Sequence, residues 1–67
     1  MSTFGSYIVR KNDGSYVSAY SSALGEKNAL SYAIECAKFS KGKVFYKSSE
    51  VAEEVVAEYA DGKVSLN

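Results

Sequence analysis

A chain of 67 residues, 46% hydrophobic, with eight basic and eight acidic residues, one cysteine and neither histidine nor proline, has room for one small core and therefore one domain, residues 1–67. Cys36 alone cannot close an intrachain disulfide, and without histidine no cluster of soft ligands is at hand for a structural zinc. Self-association is the supplement left to a core of this size, which supplies only roughly 3–5 kcal/mol.

The balanced net charge hides a sorting of charge along the chain. Lys38, Lys41, Lys43 and Lys47 run without an acid, and Glu50, Glu53, Glu54, Glu58 and Asp61 follow without a base. Two adjacent stretches thus carry opposite fields. The acidic one is expected either to repel nucleic acid or to lie across the basic one. Met1 to Gly5 has no basic segment of the export type, and no apolar run approaches the ~18 residues of a membrane span. A cytosolic protein without membrane contact is expected, and a single thiol suits a reducing compartment.

Tyr7 to Lys11 and Ser15 to Tyr20 are β-rich runs separated by Asn12-Asp13-Gly14, which predicts a hairpin. A two-residue turn at Asp13-Gly14 would set Val9 opposite Ser18; a three-residue loop with Gly14 as the bulge sets Val9 opposite Val17. The second is favoured, because it gathers Tyr7, Val9, Val17 and Ala19 on one side and leaves Ile8, Arg10, Tyr16, Ser18 and Tyr20 on the other. After a loop from Ser21 to Gly25, the spacing of Leu30, Ala33, Ile34 and Ala37 predicts a helix from Glu26 to about Ser40, with Gly42 as its stop. Tyr32, Cys36 and Phe39 form a second apolar strip on that helix, one that a single sheet would leave uncovered.

Lys43 to Lys47 reads as a third strand, with Lys43, Phe45 and Lys47 on its outward parity. Beyond it two outcomes compete. Ser48 or Ser49 can cap a second helix with Val51, Val55 and Tyr59 inward and Glu53, Glu54 and Glu58 outward. Alternatively, Val55 to Ala60 turns at Asp61-Gly62 into a strand from Lys63 to Leu66. The periodicity tilts toward the helix. The fold class is α+β: a small antiparallel or mixed sheet of ββαβ type, strand order 2-1-3, with a helix on one face and a C-terminal helix or hairpin.

Catalytic chemistry is not encoded in any pattern. No Gly-rich phosphate loop or nucleophile elbow occurs, the thiol lies mid-helix among apolar neighbours, and the glutamates have the spacing of a solvated helix face. No enzyme, cofactor or metal is expected, and Cys36 reads as a buried, inert thiol. The candidate site is the sheet face without a helix, where Ile8, Arg10, Tyr16, Tyr20, Lys43, Phe45 and Lys47 would combine aromatic anchors with cations. Such a face suits a protein partner; the alternative is single-stranded nucleic acid, bases stacking on the rings while the cations meet phosphates. Five acids following directly, and no net basic charge, favour the protein.

The succession strand, turn, strand, helix, strand in so short a chain resembles small phage proteins that bind and inhibit host enzymes. That resemblance implies a non-enzymatic binding module that modulates a host protein. A homodimer at micromolar concentration is also expected, or else a C-terminal segment that caps Tyr32, Cys36 and Phe39.

Overall fold

The computed structural model describes residues 5–50 and 52–66. Five strands and one long helix follow in the order β1 Ser6–Arg10, β2 Tyr16–Ser21, α1 Glu26–Ser40, β3 Lys43–Lys47, β4 Glu54–Ala60 and β5 Lys63–Leu66, with a 3-10 turn at Ser22–Leu24 ahead of the helix. The strands form one sheet in the order β2-β1-β3-β4-β5, and every neighbouring pair is antiparallel. The α+β class, the ββαβ start and the 2-1-3 core agree with the sequence. The C-terminal alternative resolves as a hairpin.

The second helix does not form, because its residues complete the otherwise unpaired edge of β3. Antiparallel pairing of β3 with β4 lays the acidic stretch alongside the basic one, with Lys43 opposite Glu58. Gly42 C=O accepts the N–H of Tyr59 at 3.0 Å. A helix over the same residues would leave that edge of β3 without a partner. Ser48 accepts the N–H of Glu50 at 3.2 Å, a local turn rather than a helix cap; Val51, assigned to the same helix by periodicity, lies outside the described residues. The glutamates therefore line a strand and its approach, not a solvated helix face. Asp61 and Gly62 both take positive φ, 52° and 83°, as a two-residue hairpin turn matched to strand twist requires.

The first hairpin combines both registers considered for it. Next to the loop, Lys11 N–H donates to Ser15 C=O at 2.9 Å and Gly14 has φ 93°, as a three-residue loop demands, and Arg10 pairs with Tyr16. A bulge then shifts the register by one, so Val9 faces Ser18 and Tyr7 faces Tyr20. The expected Val9–Val17 pair is corrected: Val17 is the extra residue, and it still packs against the core. One slipped residue exchanges faces for everything beyond it. Ala19 moves to the helix-free side opposite Ile8, whereas Ser18 and Tyr20 move to the helix side.

The core is small and lies between α1 and the sheet. Tyr7, Val9, Val44 and Ala57 come from the strands, and Ala29, Ala33 and Ala37 from the helix. The three alanines recur every fourth residue, so their methyls form a line that lets the helix axis approach the sheet closely. That line is rotated slightly from the predicted stripe; Leu30 and Cys36 flank it and Ile34 is only half-buried. Full burial of Val9 and Val44 contributes about 1.5–3 kcal/mol each.

The helix ends at Lys41, not at a glycine. Lys41 adopts the left-handed conformation at φ 58°, ψ 45° and bonds to Ala37 C=O, and Gly42 N–H reaches the same carbonyl at 2.9 Å. Gly42 serves a different need: a Cβ there would collide with the carbonyl oxygen of Arg10. No helix among the described residues is long and apolar enough to cross a membrane.

Candidate functional site

The helix leaves one sheet face open, and strand register fixes what stands on it. Ala19, Ile8, Phe45 and Val55 occupy one row across β2, β1, β3 and β4, each in register with the next. A second row, Tyr16, Arg10, Lys43, Glu58 and Ser65, runs beside it. On the other flank Ser6 pairs with both Ser21 and Lys47. The face is thus an apolar band between two polar rows. Tyr16, 63% exposed, stands at its β2 end; Ile8, Phe45 and Val55 are half-buried.

Six of the seven candidate residues, Ile8, Arg10, Tyr16, Lys43, Phe45 and Lys47, share this face. Tyr20 does not. Its ring packs on the helix side against Tyr32, with centroids 5.9 Å apart and planes 33° apart, because the Val17 bulge turns it over. Ala19 and Val55 belong to the face and were missed: the first depends on the bulge at Val17, the second on residues 54–60 being a strand with a second bulge, at Val56, that brings Val55 opposite Phe45. The only available signal for Val55 was the β-rich Val55-Val56 pair beside Tyr59.

Of the three cations of this face, Arg10 is paired with an acid and Lys43 has one as its cross-strand neighbour. Arg10 Nε lies 3.0 Å from Glu53 Oε1, with each side chain 32% exposed, and Arg10 also donates to Gly14 C=O at 3.1 Å. Arg10 stands at the Lys43 end of β3, while β4 begins at the Tyr46 end. The ion pair therefore ties the β3–β4 connection back across the open face toward the first hairpin. Glu58 stands directly opposite Lys43. Lys47 is exposed at the other flank. What remains is an apolar band with a rim of both signs, unlike a uniformly basic track.

A concavity lies on the helix side, where α1 covers β1 and β2 more fully than the C-terminal hairpin. It is a cleft of ≈ 360 Å3 lined by Tyr7, Glu26, Leu30, Tyr46, Val56 and Leu66. The Tyr7 and Tyr46 rings meet at 5.1 Å with planes 51° apart. Burial, and then the charges of Glu26 and Tyr46, push the Tyr7 phenol above its ordinary pKa. Five elements contribute, so no local pattern could announce the cleft. Among the described residues no three His, Cys, Asp or Glu side chains gather as a metal site would require.

Cys36 is free and half-buried, packed against the core rather than sealed within it. Comparison with known proteins finds no matching family model, no similar curated protein and no similar solved structure.

Proposed function

We propose that the protein is a non-enzymatic binding module whose helix-free sheet face docks on another protein. The observation that carries this reading is the in-register row Ala19, Ile8, Phe45 and Val55, flanked by Tyr16 and by charges of both signs. An apolar centre with a mixed polar rim is the anatomy of a protein interface, in which aromatic anchors supply affinity and rim charges steer encounter. Modulation of a host protein in the cytosol, in the manner of small phage inhibitors, is the finer form of the same proposal. Single-stranded nucleic acid is the alternative occupant, and it receives less support because Glu53 and Glu58 stand beside the two cations nearest the aromatic centre.

Affinity capture with the wild-type chain and with a Tyr16→Ala/Phe45→Ala double variant tests the reading, with and without nuclease, the captured proteins being identified by mass spectrometry. A protein retained by the wild type after nuclease and lost by the variant is the expected result. Each single change should weaken a purified partner by about 1–3 kcal/mol while the far-UV spectrum is unchanged. Undiminished capture by the double variant eliminates the face. Submillimolar binding of short oligonucleotides, lost steeply with salt, would instead favour nucleic acid.

A further inference from the structure

The outer edge of β2 and the exposed flank of α1 lie on the same side of the molecule, and we propose that together they bind a second copy of this chain. Three features converge there. β2 is an edge strand, and its sequence Tyr16-Val17-Ser18-Ala19-Tyr20-Ser21 has no charge and no proline, the usual protections of a free edge. The Val17 bulge disturbs only its first residues. Ser22 N–H donates inward to Gly5 C=O; by the alternation of an antiparallel ladder the backbone groups of Ala19 and Ser21 then point outward.

The helix supplies the apolar part. Tyr32 is 56% exposed and Phe39 94% exposed. They are separated by seven residues, hence nearly two turns, and project in nearly the same direction. Tyr32 is held over β2 by its ring contact with Tyr20, so its position is fixed before any partner arrives. The C-terminal segment does not cover this strip: β5 closes the opposite edge of the sheet.

A two-fold axis midway between the Ala19 residues of two copies satisfies all of this at once. Antiparallel pairing of β2 with β2 of a second copy extends the sheet across the interface and leaves both helices on one face. Strands lie about 4.8 Å apart, so two helices each seated over the β1–β2 line would run roughly 10 Å apart, a normal helix packing distance. Helix α1 runs antiparallel to β2, with Tyr32 beside Tyr20 and Phe39 toward the Val17 end. The axis therefore sets Phe39 of one copy beside Tyr32 of the other and brings the two Cys36 side chains close to the axis. A strip that is self-complementary under such an operation is what an isologous interface needs. The two rings together withdraw about 300 Å2 per copy, leaving the strand edges and the rest of the helix flank to make up the ≈ 800 Å2 per partner of a stable interface.

The two surfaces meet at β2, whose Ala19 and Tyr16 stand on the helix-free face, but Phe39 lies on the flank of the helix, so its substitution tests this proposal without altering that face. Sedimentation of the intact chain from low to high micromolar concentration, with Phe39→Glu beside it, tests this one. A reversible wild-type dimer is expected, with the dissociation constant raised by about 100-fold or more in the variant. Because Phe39 is almost wholly exposed, the variant should keep the wild-type circular dichroism. A short bis-maleimide should join Cys36 of two wild-type copies and fail in Phe39→Glu. A wild-type chain that sediments as a monomer throughout overturns the proposal, as does a dimer indifferent to Phe39→Glu. A dimer that is dissolved by the variant yet gives no Cys36 cross-link overturns the antiparallel arrangement.

Discussion

Lys41 and Gly42 are adjacent, and substituting each should move stability in opposite directions. At Gly42 an alanine Cβ would meet the carbonyl oxygen and carbon of Arg10 and approach Lys11 Cα within 3.2 Å. All three are backbone atoms, so no rotamer change can relieve the contact, and β1 must move away from the start of β3. The overpacking costs about 1–3 kcal/mol. Gly42 also donates to Ala37 C=O and accepts from Tyr59 N–H; weakening these two bonds adds about 1 kcal/mol or slightly more. A total near 3 kcal/mol is most of the stability available to a core of this size.

At Lys41 the situation is reversed. An L-residue held in the left-handed region carries roughly 1–2 kcal/mol of strain, and glycine removes it while returning about 0.5–1 kcal/mol through unfolded-state freedom. Lys41→Gly should therefore stabilise by about 0.5–1 kcal/mol. Urea titrations followed by circular dichroism, at a protein concentration held constant because of the proposed dimer, measure both. A Gly42→Ala variant within about 0.5 kcal/mol of wild type would refute the close approach of Arg10 to Gly42. A destabilised Lys41→Gly would refute the assignment of the left-handed position.

Other substitutions probe separate parts of the molecule. Cys36→Ala should cost about 1 kcal/mol, since the thiol packs against the core without being sealed in it; a loss above about 3 kcal/mol in the same titration would contradict that placement. Hydrogen bonding by Ser15 holds the Asp13 carboxyl below its ordinary pKa. The stability it contributes is thus present above the unfolded value and lost as pH falls through the folded one. The gap in urea midpoint between wild type and Asp13→Asn should close on acidification, and a gap independent of pH would refute the linkage. Glu53→Gln removes the ion pair with Arg10 and should cost under about 1 kcal/mol, a difference that shrinks in high salt because both side chains are partly solvated. An effect unchanged by salt would show that Glu53 acts by packing.

Elements set by neighbours in the chain were legible in the sequence. The helix Glu26–Ser40 follows from apolar spacing, the turn at Asn12-Asp13-Gly14 from residues that accept positive φ, and β3 from its β-branched and aromatic run. Knowledge of these elements was enough for the ββαβ start and to place six of the seven candidate residues on the open face. Residues 50–60 were different. They carry both helical spacing and strong β formers, and only the presence of an unpaired β3 edge selects the strand. The same lesson applies at Val17, where a single bulged residue moves Tyr20 off the open face and puts Ala19 on it. Local propensity says what a segment can become, since it depends on steric terms within a few residues. Register and strand choice depend on hydrogen-bonding partners far away in sequence, Tyr59 to Gly42 or Arg10 to Lys43, and these exist only once the chain has closed on itself.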